Sequence, residues 1–179
     1  TGCCFNEADL SQSNFIQPKL NNTLFNRAIL DGVNFIQVNG ESAQFSGAKM
    51  KNIRFVGGCT LIRSDFMKAE LSESCLRECN FKKSDFSGAR LDKADFGGSD
   101  LTYTKFNRSE AFQTQFMKAD LSFAMFYRIN LMEGNLMKAR IAGAGFREAN
   151  LFSTSFLKSI VDRNTDFTDA YIEQTVLVE

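Results

Sequence analysis

The sequence contains no histidine and no tryptophan, and its only proline is Pro18. Without histidine the chain lacks the commonest general base, and with it the Ser/His/Asp and Cys/His sets of nucleophilic catalysis. No glycine-rich phosphate loop follows a strand pattern, and no cluster has the spacing of metal ligands. We therefore predict that the chain is not an enzyme and has no catalytic residues, no cofactor and no metal site.

An excess of either charge is also missing, since 21 Lys and Arg residues balance 21 Asp and Glu residues. The balance is local, with 5 basic and 4 acidic residues in 1–60, 7 and 8 in 61–100, and 9 and 9 in 101–179. We therefore expect neither nucleic-acid binding by a basic face nor wholesale DNA mimicry by an acidic one. No apolar run approaches the roughly 18 residues of a membrane helix, so no membrane partner is expected.

What the sequence does contain is a large apolar residue at nearly every fifth position, with a small residue two positions earlier. The series begins at Phe5, Leu10 and Phe15 and continues through two one-residue slips, at 56–60 and 162–166, to give 35 units. On a helix this period would scatter the large residues around the axis, and on a flat strand it would place them on alternate faces. The period instead predicts a chain that turns a corner every five residues and keeps the large residues inside.

The number of sides follows from the order of the large residues. Phe and Leu alternate over much of the chain, so an even number of sides is needed for like residues to stack. With four sides, one column absorbs both slips and contains only phenylalanine: Phe5, Phe25, Phe45, Phe66, Phe86, Phe106, Phe126, Phe146 and Phe167. We predict these nine residues as the structural core. The weak inward positions are Ala111 in the second column and Gly40 in the fourth, which ends at Val161.

Several units read Ala-Asp/Asn-Leu/Phe. Among them are Ala8-Asp9-Leu10, Ser84-Asp85-Phe86, Ala94-Asp95-Phe96, Ala119-Asp120-Leu121 and Ala149-Asn150-Leu151. On these motifs the chain resembles the pentapeptide-repeat protein family over about residues 3–179. The resemblance implies an all-β fold, the right-handed quadrilateral parallel β-helix, a solenoid with four pentapeptide units per coil and here about nine coils. The handedness comes from the resemblance alone.

We expect residues 1–179 to form a single β-helix domain. The chain begins with Thr1 rather than Met, so we expect that the domain was excised from, or processed out of, a longer chain. We expect a bacterial protein in the cytoplasm. If an N-terminal segment was removed, the alternatives are the thylakoid lumen, the periplasm, or secretion as an effector.

The cysteines bear on redox chemistry. Cys3, Cys59 and Cys79 occupy the small inward position, and Cys59 and Cys79 fall on one side in successive coils, about 5 Å apart at Cα. Stacked thiols and a disulfide both fit this placement. Cys4 and Cys75 are expected to point outward, so the five cannot converge on a zinc ion.

Outward charges also form columns. Lys118, Lys138 and Lys158 stack on the third side, and Arg108 and Arg128 on the first, where Asp65, Asp85 and Asp166 share the column beside them. A solvated face with acids alongside and a site for an anionic partner are both consistent with the lysine column.

Outward apolar residues supply the best functional lead. In the position after the inward residue lie Met117, Met137 and Leu157 on the third side and Phe112, Met132 and Phe152 on the second. We predict that these six residues form an exposed patch for a protein partner or a homodimer. In the alternative arrangement the side chains fold over the corners, or Phe112 turns inward beside Ala111.

These observations favour a non-enzymatic, rigid scaffold that mediates protein–protein interaction through its outer faces. The resemblance implies one alternative, a DNA-mimicking protein that binds gyrase or another topoisomerase and protects it from quinolones. Such mimicry needs an acidic rod, and the zero net charge disfavours it.

Overall fold

The computed structural model describes residues 2–176 of the chain. Over this range no residue is helical, and every β-bridge joins parallel segments 20 or 21 residues apart. Four five-residue sides therefore make one coil, and the predicted all-β parallel β-helix is confirmed. We number the coils from one to nine. The inward centres of coil one are Phe5, Leu10, Phe15 and Leu20, on faces one to four, and coil nine begins at Phe167.

Five segments are long enough to count as strands: β1 (Asn14–Ile16), β2 (Asn34–Ile36), β3 (Asn39–Glu41), β4 (Arg54–Val56) and β5 (Thr60–Ile62). The third face stacks β1, β2 and β4 in that order, and the fourth face pairs β3 with β5. The register places Phe15 opposite Phe35 and Phe35 opposite Phe55. Elsewhere in the described range each side contributes one bridged residue, because a turn follows almost at once.

A tight turn ends each face. In coil five the N–H of Ala89 donates to the carbonyl of Phe86 at 3.0 Å, and Gly88 between them has φ +67°. A positive φ at this third position is what a type II turn requires, and glycine adopts it without steric cost. Most corners nevertheless carry a longer residue, such as Lys83 at φ +62°. We call this site the turn position, and the turn after each face its corner.

The phenylalanine column is continuous through all nine coils. Successive rings stack with centroids 4.5–5.3 Å apart and planes within 12° of parallel. The seven rings from Phe25 to Phe146 are fully buried, whereas Phe5 and Phe167 are half-buried because each stacks on only one neighbouring ring. Rings of the third face meet this column edge-on, as Phe96 meets Phe86 at 5.5 Å and 85°.

Small inward residues also form hydrogen bonds between neighbouring coils. The hydroxyls of Ser84, Ser99, Thr114 and Thr154 each donate to the carbonyl of the inward centre 23 residues earlier, at 2.7–2.8 Å. Among the described residues, no buried side-chain nitrogen or oxygen lacks a hydrogen-bond partner. Buried hydroxyls without partners would be costly, so these bonds explain why Ser and Thr can replace Ala at this position.

Both slips are absorbed at corners. At the first, Gly57 and Gly58 adopt φ +83° and +73° in succession. At the second, the Asp162 carboxylate accepts hydrogen bonds from the N–H groups of Gly143 at 2.8 Å and Asn164 at 3.1 Å. The bridge spacing rises from 20 to 21 residues across each slip, as in Gln44 to Asp65. The inward columns therefore continue in register.

The weak and terminal inward positions behave differently. Gly40 is buried, and a Cβ there would come within 3.0 Å of the Leu20 Cβ, so the close approach requires glycine. Ala111 is fully buried. Val161, which we predicted to point inward, is 56% exposed, so that prediction is wrong. It belongs to the corner segment that absorbs the second slip.

No helix in the described part of the chain is long and apolar enough to cross a membrane.

Replacing Phe86 by Ala should lower the free energy of unfolding by about 3–5 kcal/mol, because it leaves a ring-sized cavity between two stacked rings. Chemical denaturation measures this change. Phe167→Ala removes a half-buried ring and should cost less. A loss below about 1 kcal/mol for Phe86→Ala would contradict the stacked core.

Candidate functional site

The six residues of the predicted patch follow inward centres on two adjacent faces of coils six to eight. Phe112, Met132 and Phe152 each follow the inward centre of face two, and Met117, Met137 and Leu157 that of face three. All six are half-buried rather than exposed. The prediction of an exposed patch is therefore corrected to two ladders of partly covered side chains.

Contacts between coils explain part of this cover. The ring of Phe152 stacks on Tyr171 of the next coil, at 6.1 Å and 8° between planes. The backbone of each rung is also fixed, since the N–H of Lys118 donates to the Met137 carbonyl at 3.0 Å and that of Lys138 to the Leu157 carbonyl at 2.9 Å. The backbone of the third-face ladder is therefore fixed, and the Phe152 ring of the other ladder packs against the next coil.

The lysine column runs beside the third-face ladder. Lys118, Lys138 and Lys158 occupy the turn position of three consecutive coils, with φ of 61°, 59° and 58°, and all three are exposed. Seven ion pairs form within residues 2–176, and none involves these lysines. No acid among the described residues is therefore paired with this column, and the exposed lysines are consistent both with a solvated face and with a site for an anionic partner.

Some charged residues pair between successive coils. Arg128 donates to Glu148 at 2.6 Å, and this hydrogen bond lowers the pKa of the Glu148 carboxyl. Arg77 donates to Asp95 at 2.9 Å, which raises the pKa of the guanidinium. Lys105 lies 3.5 Å from Asp85. These pairs join neighbouring coils, whereas Lys118, Lys138 and Lys158 are among the basic residues that form no ion pair within 2–176.

A shallow groove follows the first corner. It has a volume of about 500 Å³ and opens where Gly88 provides no side chain between Lys68 and Arg108. Met67 and Tyr127 line it as well. Neither Lys68 nor Arg108 forms an ion pair within residues 2–176.

One exposed aromatic feature escaped the sequence analysis. Tyr103 and Phe123, at the fourth corner, stack at 5.0 Å and 13°, and they are 46% and 48% exposed. Phe123 lies against Gly143, where a Cβ would come within 2.7 Å of the ring. Reading the turn positions at a spacing of 20 residues, as was done for the inward residues, would have found this pair.

The cysteines are all unbridged. Cys59 and Cys79 are buried as predicted, and Cys4 is exposed and Cys75 half-buried. Cys3 is exposed rather than buried, since it precedes the first stacked ring. The hydrogen bond with Cys59, followed by burial, raises the pKa of the Cys79 thiol. No group of three or more His, Cys, Asp or Glu residues within 2–176 is arranged to hold a metal ion.

Stacked coils with four five-residue sides are typical of a known protein family. The family description "Pentapeptide repeats" matches in eight copies, over residues 1–30, 19–55, 56–82 and 79–110, which together exceed half of the chain. The chain belongs to the pentapeptide-repeat family. Its fold is accordingly the right-handed quadrilateral β-helix, and the same coils continue beyond residue 110.

Solved structures agree with this assignment. HetL, a pentapeptide repeat protein involved in heterocyst differentiation regulation from the cyanobacterium Nostoc sp. strain PCC 7120, is 16% identical with a TM-score of 0.51. The match covers 98% of this chain and 90% of HetL. A trypsin-treated variant of QnrB1, a plasmid-mediated fluoroquinolone resistance protein, is 18% identical with a TM-score of 0.55 over 91% of this chain and 74% of QnrB1. At such identities the likeness concerns the fold alone.

A search of curated protein sequences finds no match to the chain.

Asp65→Asn should raise the melting temperature at pH 7 by roughly 1–2 °C. Burial, and then repulsion from Asp85, raise the pKa of the Asp65 carboxyl above its ordinary value, so the folded state favours the protonated form. Its contribution to stability is thus present at low pH and lost as pH rises through the folded pKa. The gain should disappear near pH 3. Calorimetry across this range measures it, and Asp85→Asn, which relieves the same repulsion but loses the Lys105 pair, should give a smaller gain.

Thiol labelling should separate the cysteines by burial. We expect Cys3 and Cys4 to react rapidly with Ellman's reagent in the native protein, and Cys75 more slowly. Cys59 and Cys79 should react only after unfolding, because they are 1% and 3% exposed. Mass spectrometry without reductant should find five thiols. Rapid native labelling of Cys59 or Cys79, or a mass two hydrogens lower, would contradict this assignment.

Proposed function

We propose that this chain is a non-enzymatic scaffold, with residues 1–179 forming one domain, that binds a protein partner through its outer faces. The observation that carries the proposal is the pair of apolar ladders on adjacent faces of coils six to eight. Each supplies one large side chain per coil in three successive coils, and both are held by the same stacked core. Scattered apolar residues are common on protein surfaces, but contiguous ones favour an interface.

Rigidity supports this function. Binding costs free energy when side chains and loops must be ordered, and a surface that is already ordered avoids much of that cost. The stacked rings and the bonds between coils hold each rung before a partner arrives. Partial cover reduces the free apolar area, and it also limits the freedom that the six side chains would lose on binding.

A homodimer is one form of this interaction, because the same ladders could meet in a second copy of the chain. Binding to gyrase remains the alternative that the family resemblance raised. The likeness to QnrB1 supports the shared fold, and the balanced charges of this chain argue against DNA mimicry. A gyrase supercoiling assay with and without a quinolone separates this alternative from the scaffold.

The double variant Met117→Lys with Met137→Glu should abolish or weaken partner binding by at least about tenfold, since it places charge in the third-face ladder without altering net charge. Partners are captured from extracts of the source organism, identified, purified and measured by calorimetry. Light scattering reports self-association of the same variant.

The matched control is Ile16→Lys with Ile36→Glu, which makes the same changes in the same column of coils one and two. It should retain binding, and circular dichroism should show that both variants fold. Unchanged association of the Met117/Met137 variant in both assays would reject the ladders as the interface.

A further inference from the structure

Lys118, Lys138 and Lys158 place three like charges at the same corner of three successive coils. Like charges stacked in successive coils repel one another even in water. Seven other basic residues within 2–176 each pair with an acid of a neighbouring coil, as Arg128 does with Glu148. Lys118, Lys138 and Lys158 have no such relief among residues 2–176, so an anionic partner would stabilise this column.

The immediate surroundings do not neutralise the lysines. On face three the neighbouring outward residues are Gln115, Asn135 and Ser155, and the first two bond to each other through their side-chain amides at 3.0 Å. On face four, Asp120 accepts hydrogen bonds from the N–H and hydroxyl of Ser122 and lies 3.9 Å from Arg140. The positive charge of the column therefore faces outward.

The apolar ladder of face three lies beside the lysine column. Met117, Met137 and Leu157 each immediately precede one of the three lysines, so every rung presents one apolar and one cationic side chain. This combination matches a partner surface with an acidic stripe next to an apolar stripe. A nucleic acid backbone would match the lysines but not the adjacent ladder, and the chain has no net positive charge to attract it.

The spacing between successive coils favours one kind of partner segment. In these coils the rungs repeat at 4.5–5.1 Å, as the ring distances from Phe106 to Phe146 show. An α-helix repeats its facing side chains about every 5.4 Å, so over two steps it would drift from a rung spacing of about 4.8 Å by only about 1.2 Å. An extended strand, repeating one face about every 6.7 Å, would drift by about 4 Å. Lysine side chains are long enough to absorb the smaller mismatch.

We infer that the third corner of coils six to eight is the docking site for an acidic amphipathic α-helix of a partner protein, an inference that rests on the proposed scaffold function. The helix axis runs parallel to the solenoid axis. Its carboxylates contact Lys118, Lys138 and Lys158, and its apolar stripe packs on Met117, Met137 and Leu157. Electrostatic attraction speeds the encounter, and the apolar ladder fixes the register.

The test uses Lys118→Glu with Lys138→Glu. For both of these lysines, the coil before and the coil after lie within residues 2–176. The matched control is Lys68→Glu with Lys93→Glu, which makes the same change in net charge at turn positions of other corners. Neither control lysine forms an ion pair within residues 2–176.

The probe is a fluorescent helical peptide of about 20 residues with a glutamate stripe and an adjacent leucine stripe. A peptide of the same composition in scrambled order controls for charge alone. Fluorescence anisotropy at low and high salt gives the affinities. We expect the wild-type chain and the control variant to bind the striped peptide similarly, and the Lys118/Lys138 variant to bind it at least about tenfold more weakly.

Three results would overturn the inference: no binding of the striped peptide to the wild-type chain, equal loss in the two lysine variants, or equal binding of the scrambled peptide. A single-stranded oligonucleotide or a phosphatidylserine vesicle is tested in the same way. If either binds more tightly than the striped peptide and needs the same lysines, the partner is a nucleic acid or a membrane and not a helix. If the peptide test fails while the Met117/Met137 variant still abolishes partner capture, the scaffold function stands without the acidic helix. If that variant also leaves capture unchanged, both proposals fail.

Discussion

The parallel hydrogen bonding between successive coils is the constraint on which the rest of the structure depends. It repeats the backbone about every 4.8 Å, and this is also a distance at which aromatic rings stack with a lateral offset. The column from Phe5 to Phe167 meets both requirements, with centroids 4.5–5.3 Å apart. Each coil therefore contacts the next in two ways, through backbone hydrogen bonds and through stacked core rings. The solenoid needs no contact beyond neighbouring coils.

The same repeat organises the outer surface. Residues about 20 positions apart become neighbours. Charged side chains, apolar side chains and glycines that lack a side chain therefore each fall into columns. Opposite charges in one column pair, as Arg128 does with Glu148, and a missing side chain opens a groove, as at Gly88. The lysine column beside Met117 and Met137 has no such pairing within residues 2–176. A partner that recognises such a surface must itself repeat at a similar interval.

The inward residues made the fold predictable, because their identity is dictated by burial and repeats without interruption. The number of sides, the Phe column and the absorption of both slips all follow from that repetition. The outward residues are not constrained in this way, so the degree of cover over Phe112 or Met132 depends on how side chains of adjacent coils lie against each other. The exposure of Val161 and the bonds from Ser84 or Thr114 to the preceding coil likewise depend on backbone geometry that a residue pattern does not contain. Sequence therefore located the candidate site but overstated its exposure.

The two slips have a consequence for how such a chain can change in length. At Gly57-Gly58 and at Asp162 an additional residue is accommodated by the corner, and every buried contact on either side keeps its neighbours. A residue gained within a face would instead displace all later rings from their column. Insertions and deletions can therefore accumulate at corners one at a time, so homologous rods can differ in loop length while keeping the same core.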